Sequence, residues 1–263
     1  MTQFHSPLKM TRCWGAALVC CGALACISVV PAYAAPLLSE DFESYSIGSQ
    51  TGAAMSPWAI TTPTDTTVEV LSHGGSKGLG FTDNSTSASS SITRDFAGAG
   101  TETSFAFDLS ILQTNGELYA GNQMLFGVSE TGGNVIFSIR FTSYGRYTLA
   151  YRKGGTTVAA PLTSGGIAGD DNPLLFTYDS IAGKLTLDIN NGAHTKSWDD
   201  IDTGLTPGTI GIQSASTSSV TYAPAQTLLD NLVVENVPEP GSLGLLAVGA
   251  LSILAGRKGN HGK

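Results

Sequence analysis

Hydrophobic and polar residues alternate along short stretches between positions 35 and 236. Every second residue is apolar from 105 to 111, and the same period of two recurs at 135–141 and 147–151. A period of two places successive side chains on opposite faces of a β-strand. No stretch of this region keeps the apolar spacing of an amphipathic helix for three turns. The pattern therefore predicts a domain built from β-strands.

Turn residues separate the predicted strands. Further strands are predicted at 125–129, 174–179, 184–190, 209–215 and 228–235. Between strands, glycine stands next to a second glycine, alanine, tyrosine or asparagine at 132–133, 144–145, 154–155, 182–183 and 191–192. Glycine and asparagine accept the positive φ angles of tight hairpins. Strands with one apolar face must bury it against a second sheet. The predicted fold is therefore an all-β, two-sheet antiparallel jelly-roll sandwich over 35–236, with its strand order left open.

The N-terminal segment, residues 1–34, has the features of a secretory signal peptide. Lys9 and Arg12 precede an apolar run at 13–30, and small residues stand at positions 32 and 34. This order predicts cleavage by signal peptidase between Ala34 and Ala35. An uncleaved anchor helix is the alternative. All four cysteines lie in this segment, so the predicted domain has neither disulfides nor a cysteine-based zinc site.

The C-terminal segment, residues 237–263, contains Val237, Pro238, Glu239 and Pro240, then an apolar run at 241–255 and a basic pair at 257–258. A helix of 15 residues spans about 22 Å, which is less than the ~30 Å of a bilayer core. The run is therefore predicted as a short transmembrane helix, with a buried core helix as the alternative.

This C-terminal segment resembles the PEP-CTERM sorting signal of Gram-negative bacteria in the order of its three parts. The resemblance implies export, transient anchoring in the inner membrane and processing near Pro-Glu-Pro by an exosortase, a membrane protease. It also implies delivery to the cell surface or the extracellular matrix, in association with exopolysaccharide and biofilm production. It implies nothing about the activity of the domain that it accompanies.

The charge of the central region excludes some partners. Residues 35–236 contain eight basic and 20 acidic side chains, a net charge of −12. Such a domain is repelled by polyanions, which argues against nucleic acid or an anionic membrane surface as a partner.

The first and last predicted strands carry a second resemblance. The segments 38–45, 76–83 and 229–234 resemble those of concanavalin A-like jelly rolls, particularly laminin-G-like and MAM-like domains. The resemblance implies a structural calcium ion held by Asp41 or Glu43 together with Asp230 and backbone carbonyls. Strand alternation is consistent with this, because it places Phe42 in the core and Asp41 and Glu43 on the other side. The alternative is that all three are solvated carboxylates.

Basic side chains form a candidate binding surface for polysaccharide. Arg140, Arg146 and Arg152 fall on the polar faces of adjacent predicted strands, and Trp198 is a candidate stacking platform. Arginine binds carboxylates in bidentate fashion, so such a surface suits an acidic polysaccharide. The alternative is that the arginines pair across strands with aspartates and that Trp198 packs into the core or its rim; the candidate aspartates are Asp108, Asp179 and Asp188.

Catalytic motifs are not recognisable. Retaining glycosidases of this architecture carry Glu-x-Asp on one strand, and no glutamate in the chain has an aspartate two residues later. The G-x-S-x-G match at 74–78 has no helical pattern after it. We therefore expect an exported, non-enzymatic protein that binds glycans or serves as a matrix component. The alternatives are a glycosidase or lyase with residues gathered from several strands, and a purely adhesive module.

Overall fold

Two antiparallel sheets make up the part of the protein that the computed structural model describes, namely residues 35–83, 85, 88–112, 123–142, 146–161, 163–164, 167, 169–215 and 227–238. By its contacts the chain divides into two units, Met1–Tyr33 and Ala34–Lys263, and all of the described residues belong to the second. The predicted signal peptide with Ala34, the turn at 144–145 and the predicted C-terminal helix lie outside the described residues. Within the described ranges, no helix is long and apolar enough to cross a membrane.

The described strands follow one another in this order: β1 (Leu38–Glu40), β2 (Gly48–Ser49), β3 (Ala59–Thr61), β4 (Thr66–His73), β5 (Ser76–Asp83), β6 (Ser91–Asp95), β7 (Glu102–Ile111), β8 (Gln123–Glu130), β9 (Val135–Thr142), β10 (Arg146–Lys153), β11 (Thr156–Ala159), β12 (Thr163–Ser164), β13 (Asn172–Asp179), β14 (Lys184–Ile189), β15 (His194–Trp198), β16 (Pro207–Ala215) and β17 (Thr227–Asn236). Sheet I has the order β15-β14-β13-β7-β17-β5-β4-β2, and β1 also pairs with β17. Sheet II has the order β11-β10-β9-β8-β16-β6-β3, and β12 also pairs with β10. The predicted all-β, two-sheet antiparallel sandwich is confirmed.

The core lies between the two sheets and is formed by the predicted apolar faces. Phe107 and Phe176 of sheet I meet Phe126 and Phe137 of sheet II, with ring centroids 4.6 Å apart for Phe107 and Phe126 and 5.5 Å apart for Phe137 and Phe176. Offset aromatic pairs of this kind add to the free energy of apolar burial. The aromatic residues therefore hold the two sheets together without a disulfide.

Strand alternation fails at the start of β9. Val135 is exposed and Ile136 is buried, because the pairing of β8 with β9 shifts by one residue beside them. The first strand ends at Glu40, and Phe42, although buried as predicted, has φ +55°. Asp41 and Glu43 are exposed, so the predicted alternation of faces through 41–43 is confirmed, although the β-strand itself has ended there.

The first and last strands are neighbours, as predicted. Leu38 pairs with Val234, and the amide of Leu37 donates to the carbonyl of Val234 at 2.7 Å. Both ends of the described chain therefore leave the sandwich from the same end of sheet I.

Candidate functional site

A cleft of about 340 Å³ opens on the outer face of sheet I, over β7, β13, β14 and β17. Its polar lining consists of Asp108, Asp188, Asn191 and Asn231, and its apolar lining includes Leu175, whose side chain is 40% exposed. Asp108 faces outward because its neighbours on β7, Phe107 and Leu109, point into the core. Strand alternation therefore supplies the carboxylate of the cleft.

A β-bulge in β17 directs an amide to this carboxylate. Asp230 pairs with Asp108, but the register shifts before Val233 and leaves Asn231 at φ +52°. Bulges re-aim side chains, and asparagine is one of the few residues that accepts this backbone conformation. The Nδ2 of Asn231 donates to Oδ2 of Asp108 at 2.8 Å. The bulge thus brings together two side chains that are 123 positions apart.

The other wall of the cleft is the β14–β15 turn. Asn190, Asn191 and Gly192 all have positive φ, and the amide of Gly192 donates to Oδ1 of Asp188 at 2.5 Å. The predicted turn at 191–192 is therefore present, and it fixes one carboxylate of the cleft. Carboxylates accept hydrogen bonds and amides both donate and accept them, so the cleft suits an uncharged ligand rich in hydroxyl groups.

Carboxylates also converge where the β4–β5 hairpin meets β17. Oγ of Ser76 lies 3.0 Å from Glu43 and 2.5 Å from Asp230, so its single proton serves one carboxylate at a time. Burial is the main cause of the raised pKa of Asp230, and the charges of Glu43 and Asp108 raise it further. Hydrogen bonds from Ser76 and the amide of Asn231 act in the opposite direction. We call Glu43, Ser76, Asp108, Asp230 and Asn231 the Asp230 cluster.

The three residues predicted to bind calcium are only partly brought together. Glu43 and Asp230 share the Ser76 hydroxyl, whereas Oδ1 of Asp41 accepts the amide of Glu43 at 3.1 Å. Calcium takes six to eight oxygen ligands, and no group of three metal-ligating side chains suited to an ion forms among the described residues. The backbone carbonyl of Glu43 already accepts a hydrogen bond from Nζ of Lys77 at 2.7 Å. Two carboxylates and a hydroxyl therefore supply only part of the shell that calcium requires.

A further carboxylate, that of Glu40, is buried close by in the chain. Its Oε2 accepts hydrogen bonds from the hydroxyl of Tyr45 at 3.0 Å, Nε1 of Trp58 at 2.9 Å and Nη1 of Arg94 at 3.0 Å. Arg94 belongs to sheet II, so the ion pair connects the two sheets. Burial, together with the negative charge of Glu40, raises the pKa of Tyr45 to about 12. We call these four residues the Glu40 cluster.

Glu40 is not among the predicted site residues, although its neighbours Asp41 and Glu43 are. The signal that could have found it is spacing, because Glu40 stands two residues after Leu38 and therefore shares its buried face. A carboxylate at a core position requires a partner. Glu40 is only 8% exposed, and Arg94 is that partner.

The predicted arginine surface is only partly assembled. Arg140 and Arg146 are exposed on the outer face of sheet II, and Nε of Arg152 lies 3.5 Å from Asp202. Trp198 is buried in the core against sheet I, with Nζ of Lys196 at 5.5 Å from its ring centre. This position argues against the predicted role of Trp198 as a stacking platform. The three arginines lie on sheet II, whereas the aspartates proposed as their cross-strand partners lie on sheet I. The alternative interpretation was therefore wrong about these partners, which are Asp108, Asp179 and Asp188.

The PEP-CTERM protein-sorting motif matches residues 236–258, which confirms the predicted resemblance. Such a motif implies export, membrane-associated sorting to the cell surface and processing by an exosortase. Of the predicted sorting residues, Val237 and Pro238 are described, and Glu239 and Pro240 lie outside the described residues. The amide of Val237 donates to the carbonyl of Glu102 at 3.0 Å, so the motif begins where β17 ends, between the interior strands of sheet I.

Solved structures share the fold of this chain. The legume lectin-like domain from Entamoeba histolytica has a TM-score of 0.51 at 13% identity, over 79% of this chain and 100% of that one. The exoplasmic/lumenal domain of VIP36 in its Ca²⁺-bound form has a TM-score of 0.50 at 11% identity, over 76% and 89%. A sialidase has a TM-score of 0.52 at 14% identity over 79% of this chain, which spans only 19% of that protein.

No curated protein matches the chain in sequence. At identities this low, the structural neighbours establish the fold alone. That fold is the legume-lectin or concanavalin A-like β-sandwich, as predicted.

Proposed function

We propose that this chain is an exported, non-enzymatic glycan-binding protein and that the cleft on sheet I holds the glycan. The observation that carries the proposal is the lining of the cleft, which combines two carboxylates and two amides with the exposed Leu175; the polar residues are Asp108, Asp188, Asn191 and Asn231. Sugars present alternating hydroxyl groups and apolar C–H patches. Side chains of both kinds therefore have a partner on one sugar ring.

The charge of the cleft selects among glycans. The described residues of its lining include two carboxylates and neither lysine nor arginine, so a neutral sugar is favoured over an acidic one. The exposed Arg140 and Arg146 on sheet II form the competing surface, and they would favour an acidic polysaccharide. The lectin-type fold of the structural neighbours supports glycan binding but does not distinguish between the two surfaces.

The destination of the protein follows from its sorting motif. We place the mature domain at the surface or in the extracellular matrix of a Gram-negative cell, where exopolysaccharide is the available ligand. Signal peptidase and an exosortase are the proposed processing partners, and the inner membrane holds the chain in transit. A structural calcium ion bridging Glu43 and Asp230 is a further part of the proposal, supported by the Ca²⁺-bound form of VIP36.

Glycan affinity of the purified chain tests the proposal. We expect binding to neutral polysaccharides in calorimetry or on a glycan array. Replacement of Asn231 by glycine removes the amide from the cleft while keeping a residue that tolerates positive φ. Loss of one hydrogen bond to ligand and release of the Asp108 carboxylate should weaken binding by about tenfold, or about 1.4 kcal/mol.

The matched control is Arg140→Ala on the opposite face, which should leave neutral-glycan affinity unchanged. Weaker binding in Arg140→Ala, with Asn231→Gly unaffected, would move the site to sheet II. Release of reducing sugar or of unsaturated products from a polysaccharide would show an enzyme instead. Absence of binding to every neutral and acidic glycan would leave the adhesive module as the function.

A further inference from the structure

The two ends of the described chain leave the domain side by side. Residues 35–37 lead into β1, and Val237 follows β17, its pairing partner. The apolar run at 241–255 begins only three residues after Pro238, the last described residue. Three residues span about 10 Å at most when extended. An anchor formed by that run would therefore hold this end of the sandwich, which we call the tether end, close to the bilayer.

The tether end carries an exposed apolar turn. Ile181, in the turn between β13 and β14, is 71% exposed. The amide of Ser180, its neighbour, donates to the carbonyl of Thr101 at 2.8 Å, and the next carbonyl along, that of Glu102, accepts the amide of Val237 at 3.0 Å. The turn and the start of the sorting motif thus share one short stretch of backbone.

The carboxylate in this turn is occupied by its own backbone. Oδ1 of Asp179 accepts the amides of Ile181 at 2.9 Å and Ala182 at 2.8 Å. Lys184, at the end of the turn, lies 3.8 Å from Asp199. Beside the turn, the stretch 97–100 consists of alanine and glycine. Ile181 is thus a single exposed apolar side chain in a turn that also carries the Asp179 carboxylate, so the short tether, and not an apolar patch, places this turn near the bilayer surface.

Strand pairing gives the height of other residues above the tether end. Thr103 of β7 pairs with Asn236, and Leu109 lies six residues further along β7. Leu109 is paired with Leu229 of β17. This row of residues paired across neighbouring strands continues through β5 and β4 to Gly48, which follows Ile47. At about 3.3 Å per residue, this row lies roughly 20 Å from the tether end. Ile47 is 60% exposed and so provides a matched isoleucine at a different height.

We propose that the tether end faces the lipid bilayer while the chain is anchored, with the Ile181 turn against the lipid headgroups. Asp108 of the cleft lies five residues along β7 from Thr103. The cleft is then held roughly 17 Å above the membrane, where polysaccharide has access. The proposal rests on the sorting motif as an anchor and is independent of glycan binding.

Fluorescence quenching by lipid tests this orientation on the full-length chain. Ile181→Cys and Ile47→Cys are each made in a chain whose four leader cysteines are serine, and each carries the same environment-sensitive fluorophore. The chains are placed in phosphatidylcholine vesicles that contain a headgroup-linked quencher, because anionic lipid would repel the acidic domain. We expect quenching at position 181 to exceed that at position 47 at least threefold.

Equal quenching at the two positions, stronger quenching at 47, or none at 181 would overturn the proposal. A chain that fails to associate with the vesicles would overturn it as well, because the anchor would then be absent. Unchanged melting temperatures of both labelled chains serve as the folding control. Failure of glycan binding is measured separately and leaves the quenching result unaffected, so the two proposals fail independently.

Discussion

The two carboxylate clusters beside the pairing of β1 with β17 differ in how their charge is balanced. Glu40 is buried, and it is paired with a guanidinium and two neutral donors from Tyr45 and Trp58. In the Asp230 cluster, three carboxylates lie close together in a half-exposed position. Among the described residues, no ion pair involves Glu43, Asp108 or Asp230.

This difference separates a structural role from a binding role. A buried carboxylate with its own cation stabilises the contact between the sheets, and removal of either partner leaves an unbalanced charge. Carboxylates without a cation repel one another, and a ligand or ion that accepts their charge relieves this repulsion. The Glu40 cluster should therefore respond to mutation in stability, and the Asp230 cluster in ion binding and pH dependence.

The largest effect is expected for Glu40→Gln, which leaves the Arg94 charge without a partner between the sheets. Loss of a buried ion pair in this way costs about 3 kcal/mol, or about 6–12 °C in melting temperature for a domain of this size. Thermal unfolding of the purified chain measures it. Glu43→Gln, only three positions away but exposed, is the matched control and should change stability by less than about 1 kcal/mol. Similar losses in both variants would remove the distinction between the clusters.

Tyr45→Phe should have an intermediate effect. It deletes one hydrogen bond to the Glu40 carboxylate, a loss of about 1.5 kcal/mol for a bond to a charged group. The pKa of Tyr45 is raised from 10.0 to about 12, so its contribution is complete below pH 10 and is lost as the pH rises towards 12. Urea unfolding at pH 8 and near pH 12 should show the difference between the variant and the parent chain disappear.

Tyr178, whose pKa burial also raises to about 12, remains in both chains and serves as an internal reference for alkaline unfolding. A Tyr45→Phe chain that differs from the parent equally at both pH values would show that the hydroxyl does not titrate with the Glu40 cluster.

Calcium should stabilise the domain through the Asp230 cluster and not through the Glu40 cluster. If Glu43 and Asp230 bridge an ion, calcium at ten times its Kd raises the free energy of unfolding by about 1.4 kcal/mol. Thermal unfolding in calcium and in EDTA measures the gain, which Glu43→Gln should abolish and Glu40→Gln should preserve. An identical melting temperature in calcium and in EDTA for the parent chain would rule out the bridge.

The smallest effect is expected for Asp230→Asn in EDTA. The raised pKa of Asp230 means that its protonated form is favoured in the folded state, so its contribution to stability is complete below the usual pKa of 3.8 and declines as the pH rises. The variant lacks this decline and should melt at a higher temperature than the parent chain at pH 7. At pH 3 the two chains should melt together, and a gain of equal size at both pH values would contradict the assignment.

Strand alternation was a reliable guide where the chain is regular and failed where the backbone departs from it. The buried faces of β7 and β9 follow the pattern, except that the irregular pairing beside Val135 exchanges it with Ile136. At the first strand, the acidic residues of 41–43 drew attention because they resemble a family motif. Glu40 was overlooked because nothing near it in sequence reveals that Arg94 lies opposite.

The candidate site shows the same limit. Asp230 was predicted from the resemblance to concanavalin A-like domains, and Glu43 does lie with it at Ser76. Asp108 was considered only as a partner for arginines, since its alternating position does not indicate that a bulge turns Asn231 towards it. Arg140 and Arg146 lie on the predicted polar face of their strands, whereas Trp198 is buried. The sequence did not indicate this, because a tryptophan at a strand end is equally compatible with core and surface.

The sequence by itself determined the class of fold, the thiol-free character of the domain and the sorting motif at its end. Each of these depends on residues close together in the chain, where the period of a strand or the order of a motif is directly readable. The tertiary structure alone decided which carboxylates acquire a cation, where the cleft opens and which end of the sandwich bears the tether. These depend on strand order, which brings together residues more than 100 positions apart, and no local pattern encodes which strands become neighbours.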